Sequence, residues 1–186
     1  MYNNMNELRN ETMNCKKCKL CKTRQNVVFG VGNENAKIMF IGEGPGGDED
    51  RLGEPFVGKA GQLMNKAFDV VGIKREEVYI ANIIKCRPPN NRDPEPDEVT
   101  ACIDFLRNQV MLIQPKIIVL LGRISLQNVL GSEYKITSSR GKWFEKKGIL
   151  YMPTWHPAAL LRDDTKKIDF LEDLKLVVER AQENGL

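Results

Sequence analysis

Residues 37–61 of the chain read KIMFIGEGPGGDEDRLGEPFVGKAG. They begin with five residues that form an apolar run, and a run of this length that ends at a glycine predicts a buried strand. The glycine-rich remainder, Gly42–Gly61, therefore predicts a loop at a strand end, which is where open α/β sheets place their sites. We expect the functional site in this loop.

Two phosphate-binding motifs are partly present in the loop. The glycines of residues 42–47 fit the pattern G-x-G-x-x-G, but the acidic residues 48–50 follow at once and would repel a pyrophosphate. Residues 53–59 fit G-x-x-x-x-G-K, but Ala60 stands where a P-loop needs Ser or Thr to hold magnesium. Neither motif predicts a nucleotide site, because short glycine patterns often match by chance.

An aromatic residue and two acidic residues in the same loop favour a different ligand. Glu43 and Glu49 would form an acidic wall, and Phe56 would offer a flat surface on a loop whose glycines let a planar ligand approach. A base flipped out of nucleic acid is bound by stacking and by hydrogen bonds to its polar edge. The alternative is a solvated acidic turn with Phe56 in the core, which the loop taken alone favours.

The composition is that of a soluble globular protein. The 186 residues fit one domain, residues 1–186, with 41% hydrophobic and 28% charged residues. No apolar run approaches the ~20 residues of a membrane span, and the first residues lack the basic and apolar segments of a signal peptide. We therefore expect a cytoplasmic protein with no membrane partner.

The net charge of +3 is mild, but the basic residues gather in a few predicted loops. If these loops share one face they form a phosphate-binding surface, and otherwise they are scattered solvated side chains. The basic residues concerned are Lys85, Arg87, Arg92, Arg140, Lys142, Lys146, Lys147, Arg162, Lys166 and Lys167.

The cysteines at positions 15, 18, 21, 86 and 102 are odd in number, which together with a reducing compartment favours a metal or cluster over disulfides. A zinc ribbon needs a second close pair, and a bacterial ferredoxin needs another cysteine separated from Cys21 by three residues, where this chain has Gln25. Thiolates from three separate places suit a 4Fe-4S cluster that fastens the N-terminal segment to the domain. We predict Cys15, Cys18, Cys86 and Cys102 as its ligands.

Two alternatives stay open for the cysteines. In the first, Cys21 is a ligand in place of Cys102 or Cys15, whereas our preferred set leaves it spare. In the second, Cys86 and Cys102 are only small buried hydrophobic residues, which is common for free cysteine.

The hydrophobic pattern along the chain alternates between strand and helix. Helices are predicted over 2–14, 58–71, 97–114 with Asp97 as its cap, 122–130 and 168–181, and strands over 37–41, 78–84, 116–121 and 149–152. This order predicts an α/β fold in three layers, a four-stranded parallel sheet flanked by helices. The four prolines of residues 85–96 predict a rigid basic loop at one strand end.

His156 is the only histidine of the chain, and it follows the last predicted strand, before Pro157 and near Arg162. One histidine cannot form a multi-histidine metal site, and no G-x-S-x-G motif is present. A lone histidine is more often structural, but a position at a strand end favours a functional role.

Three segments, with the cysteines, resemble one family: GEGPGGDEDRLGEPFVGKAGQLMN from Gly42, YIANIIKCRPPNNRDPEPDE from Tyr79, and HPAALLR from His156. Together they closely resemble the family 4 uracil-DNA glycosylases, the iron-sulfur uracil glycosylases of bacteria and archaea. The resemblance covers nearly the whole chain and implies the same sheet between helices. It implies a monofunctional enzyme that hydrolyses the N-glycosidic bond of deoxyuridine in single- or double-stranded DNA and leaves an abasic site for base-excision repair.

The resemblance also implies a role for each matching residue of the loop. Gly42, Glu43 and Gly44 would form the pocket backbone, and Glu49 would lie close to the uracil ring. Phe56 would stack on the base. Many other uracil glycosylases have an aspartate that positions water where this chain has Gly44, so Glu49 is our first choice for activating the water.

Two further residues match the family at the other strand ends. Asn82 would pair with the uracil edge, because an amide offers a donor and an acceptor together. His156 would stabilise the negative charge that develops on uracil O2. A related branch that forms a covalent adduct has a histidine in the loop after the second strand. Residues 88–92 contain none, so we expect turnover.

The DNA itself would contact the loop after the second strand and the HPAALLR segment. Leu160 or Leu161 would act as an apolar wedge beside the flipped base, unless both are ordinary core residues. We expect a monomer, and two other functions stay open: a non-catalytic iron-sulfur module that binds nucleic acid, and a glycosylase for another deaminated base. The predicted DNA contacts are Arg87, Asn91, Arg92, Leu160, Leu161 and Arg162.

Overall fold

A computed structural model describes residues 2–186, and its centre is a single mixed β-sheet. The strands are β1 (Val31–Gly32), β2 (Ile38–Gly42), β3 (Tyr79–Asn82), β4 (Ile117–Leu121), β5 (Phe144–Lys146) and β6 (Ile149–Thr154). Their order across the sheet is β1-β3-β2-β4-β6-β5. The four central strands are parallel, whereas β1 and β5 pair antiparallel at the two edges.

The α/β class is confirmed, but the prediction of four strands was wrong because the sheet has six. The edge strands β1 and β5 contain two and three residues, too few to show a period in the sequence. Central strands are longer and buried on both faces, so their apolar runs are visible.

Within residues 2–186, eight α-helices connect and cover the strands. They are α1 (Met5–Met13), α2 (Gly47–Leu52), α3 (Lys59–Val71), α4 (Pro96–Ile113), α5 (Gly122–Val129), α6 (Ile136–Ser139), α7 (Pro157–Leu160) and α8 (Thr165–Glu183). The predicted helices correspond to α1, α3, α4, α5 and α8 within a few residues. The short helix α2 lies where the sequence predicted only loop.

The cap of α4 differs from the prediction. The N-cap is Glu95 and not Asp97, because Pro96 occupies the first helical position, where its missing N–H costs nothing. The backbone N–H of Glu95 donates to the Glu98 carboxylate at 2.8 Å. Asp97 is therefore a residue of the first turn, where its charge suits the helix dipole.

Two apolar layers enclose the sheet, because alternate strand residues point to opposite faces. Met39 and Ile41 of β2 pack on the side of α1, α4 and α5, whereas Phe40 packs on the side of α3 and α8. This confirms the three-layer arrangement. None of the helices within residues 2–186 is long and apolar enough to cross a membrane.

The parallel strands bring their carboxyl ends to one edge of the sheet. Gly42 at the end of β2 lies opposite Asn82 at the end of β3, and Thr154 of β6 lies opposite Leu121 of β4. The loops that follow these strands therefore meet above the same edge.

Candidate active site

A cavity of about 440 Å³ opens at the carboxyl ends of β2, β3 and β6. It brings together most of the predicted site residues, although they come from four distant parts of the chain. The predicted residues that line it are Glu43, Gly44, Glu49, Phe56, Asn82, Asn91, Arg92, His156 and Arg162. Gly42 lies directly behind the side chains of Asn82 and Phe56.

Asn82 is the last residue of β3, and it is only 2% exposed. Its Oδ1 atom has no hydrogen-bond partner among residues 2–186. A buried polar atom without a partner costs about 1–3 kcal/mol, so such an atom beside a cavity indicates a group kept for a ligand. A Cβ atom on Gly42 would lie 2.5 Å from this oxygen and 2.6 Å from Cζ of Phe56. Glycine is therefore required behind both groups.

Phe56 is held in a strained backbone conformation. Its φ of 52° is in the left-handed region, which bulky residues rarely adopt, and such strain persists where the surroundings enforce it. A Cβ atom on Gly61 would lie 1.9 Å from the Phe56 carbonyl oxygen, and Arg75 Nη2 donates to the Pro55 carbonyl at 2.6 Å. The Phe56 ring thereby lies 5.6 Å from the His156 ring, centroid to centroid.

His156 is a neutral hydrogen-bond donor in this site. Its Nδ1 atom accepts from the backbone N–H of Ala158 at 3.0 Å at the start of α7, so the neutral ring carries its proton on Nε2. Loss of surrounding water lowers the pKa of His156 to about 4, with Arg162 adding to the effect and Glu49 opposing it. A Cβ atom on Gly122, whose φ is 88°, would lie 2.8 Å from His156 Cβ.

The two acidic residues of the loop have different surroundings. Glu49 Oε1 accepts from the backbone N–H groups of Val57 at 2.9 Å and Gly58 at 2.8 Å, which fixes this carboxylate at the start of α3. Loss of water raises the pKa of Glu43 to about 7, with Asp93 adding to the effect and Arg123 opposing it. Glu43 can therefore exchange a proton near neutral pH.

The loop after β3 forms one rim of the cavity. Arg87 Nε donates to Asn91 Oδ1 at 2.8 Å, and Asn91 is exposed with a φ of 53°. The Arg92 guanidinium makes two bonds, of 2.8 and 2.6 Å, to the buried Glu98 carboxylate. Arg92 thus braces this loop against α4, whereas Arg87 and Asn91 remain at the surface.

The two leucines predicted as alternatives for a wedge have separate environments. Leu160 is 1% exposed and packs in the core, so it cannot enter a DNA stack and its prediction as a DNA contact was wrong. Leu161 is 50% exposed, beside the exposed Arg162 at the cavity rim.

Several of the basic residues predicted in surface loops are already paired. Lys85 is 1% exposed and therefore cannot contribute to a phosphate-binding face. Arg140 binds the buried Asp173 carboxylate at 2.7 Å. Lys166 and Lys167 pair with Asp163 and Asp164, respectively.

All five cysteines line a second cavity, between the N-terminal segment and α4. The guanidinium of Arg24 donates to Cys86 Sγ at 3.2 Å, and the backbone N–H of Lys85 donates to Cys102 Sγ at 3.2 Å. Burial raises the pKa of the Cys102 thiol to about 11. Across residues 2–186, no three His, Cys, Asp or Glu side chains come close enough together to hold a single metal ion.

Sequence reasoning missed several residues that support the site. Arg75 and Gly61 hold the Phe56 loop, and the buried Asp50 accepts from the backbone N–H groups of Gln25 and Asn26. Asp50 joins the cysteine-bearing segment to α2. One signal was available for Lys85, since it is a single charge after the segment IANII, in which Asn82 is the one polar residue.

Comparison with known proteins agrees with this geometry. The sequence matches the Uracil DNA glycosylase superfamily over residues 29–175. It is 45% identical to the type-4 uracil-DNA glycosylase of Sulfurisphaera tokodaii, over 95% of this chain and 84% of that protein. It is 44% identical to the type-4 enzymes of Archaeoglobus fulgidus, over 94% of this chain and 92% of that protein, and of Saccharolobus solfataricus, over 95% and 86%. The chain therefore belongs to the uracil-DNA glycosylase superfamily and, as its sequence motifs predicted, to the type-4 group.

Proposed function

We propose that this protein removes uracil from DNA by hydrolysis of the N-glycosidic bond, as the first step of base-excision repair. The observation that carries the proposal is the unpaired Oδ1 atom of Asn82, buried beside Phe56 in a cavity large enough for a flipped base. The sequence similarity of the chain to the type-4 enzymes supports the same activity.

Uracil fits three groups at the cavity: Oδ1 of Asn82, the amide N–H group of Asn82 and the ring of Phe56. Asn82 Oδ1 would accept from uracil N3–H while its amide N–H group donates to O4, and Phe56 would stack against the ring. Cytosine has an amino group in place of O4 and no proton on N3, so both hydrogen bonds would be lost. We propose that Asn82 selects uracil in this way.

The proposed reaction uses Glu43 as a base and the neutral ring of His156 as a hydrogen-bond donor. Water attacks C1′ of the sugar and passes its proton to the Glu43 carboxylate, while the electrons of the C1′–N1 bond leave with uracil. The Nε2–H group of His156 then donates to O2, where negative charge develops. We assign the base role to Glu43 rather than Glu49, because Glu49 Oε1 is held by two backbone N–H groups, whereas loss of water raises the pKa of Glu43 to about 7.

The surface around the cavity would hold the DNA backbone. Asn91 and Arg162 lie at the rim, and Arg87 lies next to Asn91, to which it donates. These three residues would contact phosphates, and the exposed Leu161 would fill the gap left by the flipped base. We propose that residues 1–186 act as one domain and as a monomer.

We further propose that the second cavity holds a 4Fe-4S cluster, bound by Cys15, Cys18, Cys86 and Cys102. The residues fit it, since five thiols surround one space and N–H groups donate to two of the sulfur atoms. Cys15 and Cys18 of the N-terminal segment would hold the cluster together with Cys86 and Cys102. When bound, the cluster would cross-link the N-terminal segment to the loop after β3 and to α4.

The function is tested with a labelled oligonucleotide that carries one uracil, followed by alkali cleavage. The wild-type protein should cleave at uracil and leave thymine and cytosine controls intact. Asn82→Ala should slow excision by roughly 100-fold or more while DNA binding is retained. Met111→Ala, an exposed position on α4, is the matched control and should excise at the wild-type rate.

DNA binding without cleavage by the wild-type protein would favour the non-catalytic module instead. Cleavage at hypoxanthine but not at uracil would keep the enzyme and change its base. Either result would overturn the proposal.

A further inference from the structure

A buried lysine connects the cysteine cavity to the base-binding cavity. Lys85 is three residues beyond Asn82 and is 1% exposed. Its ammonium group donates to the Asn82 carbonyl oxygen at 3.1 Å and to Gln109 Oε1 at 2.6 Å. Its backbone N–H donates to Cys102 Sγ at 3.2 Å. A buried lysine is rare unless its charge is satisfied, so this arrangement requires an explanation.

The sheet itself explains why the Asn82 carbonyl needs this donor. Backbone groups of successive strand residues point to alternate sides, and the N–H of Ile83 donates to Gly42 of β2. The Asn82 carbonyl therefore points the other way, toward β1. That strand pairs only with Tyr79 and Ile80, so it stops short of Asn82. The Lys85 ammonium donates where a strand neighbour would have donated.

Gln109 of α4 fixes the ammonium in this position. Its amide N–H group donates to the Phe29 carbonyl at 2.9 Å and to Tyr79 Oη at 3.2 Å, which orients Oε1 toward Lys85. Gln109 is fully buried, so the network cannot be replaced by water from the surface. The last residue of β3 is thereby held from the side opposite to the cavity.

We propose that Lys85 is a positioning residue for uracil recognition, which acts by holding the end of β3 so that the Asn82 amide faces the base. This inference rests on the proposed function. Lys85 does not line the cavity and touches no substrate atom. Its effect must therefore pass through Asn82, and that dependence separates a positioning role from a general contribution to stability.

A double-mutant cycle of Lys85→Met and Asn82→Ala tests this role, with uracil excision measured in single turnovers at excess protein. Lys85→Met should slow excision by about 10- to 100-fold in the wild-type background, because a small misplacement of a binding group is costly. In the Asn82→Ala background the same change should slow it by less than about twofold, since coupled residues are not additive. The visible absorbance of the bound cluster should be unchanged.

Two further variants keep the test decisive. Gln109→Leu removes the anchor of the ammonium and should show the same dependence on Asn82, which covers the case that Lys85→Met does not fold. Met111→Ala changes an exposed residue of α4 that lies outside this network, and should excise within about twofold of the wild-type rate.

Equal slowing by Lys85→Met in both backgrounds would overturn the inference and leave a structural role only. A wild-type protein without uracil excision would overturn the proposed function, and the inference with it. Excision with an additive cycle would overturn only the inference.

Discussion

Burial raises the pKa of Glu43 to about 7, so its charge changes near neutral pH. If Glu43 activates the water it must be ionised, and the excision rate should rise with pH through about 7. Glu43→Gln should slow excision by about 100-fold and remove this rise. Single-turnover rates between pH 5.5 and 8.5 measure both effects. Asp48→Asn, an exposed acidic residue on α2, is the control.

The same substitution should change stability in a defined direction. Folded Glu43 keeps its proton up to about pH 7, whereas unfolded Glu43 loses it near its ordinary pKa of 4.5. Its contribution is therefore present at low pH and is lost as pH rises through 7. Glu43→Gln should raise the melting temperature relative to wild type at pH 8 and have little effect at pH 4.5. An unchanged rate and pH profile would contradict the assignment of Glu43 as the base.

His156 makes the opposite contribution to stability. Its pKa is about 4 in the folded protein and about 6.5 in an unfolded chain, so between these values the unfolded chain binds more protons. This contribution is present above pH 6.5 and lost as pH falls toward 4, by at most about 3 kcal/mol and by less because the ring is partly exposed.

His156→Asn isolates this effect, because asparagine can still accept the Ala158 N–H at the start of α7. From pH 7 to pH 5, wild type should lose more stability than the variant in chemical denaturation. Excision by the variant should fall by roughly 100-fold at pH 7, since the Nε2–H donor is gone. Equal pH dependence of the two proteins would show that folding does not lower the pKa of His156.

The loop between α2 and α3 is one structural unit, built around the strained Phe56. Gly61→Ala would place a methyl group 1.9 Å from the Phe56 carbonyl oxygen, so the first turn of α3 and the ring cannot both keep their positions. We expect a loss of roughly 3 kcal/mol in unfolding free energy and a loss of excision.

Gly72→Ala is a matched control at the other end of the same helix. Gly72 has a φ of 79°, and apart from its chain neighbours no residue of 2–186 has an atom within 4 Å of an added Cβ. Only backbone strain remains, so stability should fall by about 1–2 kcal/mol with excision unchanged. Similar effects of the two substitutions on excision would contradict a special role of the Phe56 loop.

At the scale of the whole molecule, the cysteine cavity lies between the N-terminal segment, the loop after β3 and α4. Cys86→Ser should lose bound iron and should lower the soluble yield. Its unfolding free energy should fall by roughly 2–5 kcal/mol, as when a native cross-link is removed. Uracil selectivity should change only after stability does. Iron content, visible absorbance and melting temperature measure the effect.

Cys21→Ser is the control for the choice of ligands. Cys21 lines the same cavity but lies outside our ligand set, so its variant should retain iron and stability. Loss of iron from Cys21→Ser would show that Cys21 is a ligand. A stable and active Cys86→Ser protein without iron would remove the structural role of the cluster.

Much of this protein is readable from its sequence, since central strands and amphipathic helices carry local periods and the site residues lie in distinctive motifs. The four parallel central strands and membership of the glycosylase family were predicted from such patterns. The same patterns predicted the residues of Gly42–Gly61, Asn82 and His156 that line one cavity. A local sequence pattern shows which environment a segment needs. The apolar runs of the central strands show that both faces of these strands are buried.

Only the tertiary structure decided which residues of these segments are buried. Leu160 and Leu161 are adjacent in sequence, yet packing against distant helices buries Leu160, whereas Leu161 stays exposed. Lys85 was expected in a basic surface loop, but Gln109, 24 residues away, provides the buried acceptor that holds it inside. The unpaired oxygen of Asn82 likewise results from the meeting of β2, β3 and the Phe56 loop. Burial and hydrogen bonding depend on residues that are distant in sequence, so a local sequence pattern does not predict them.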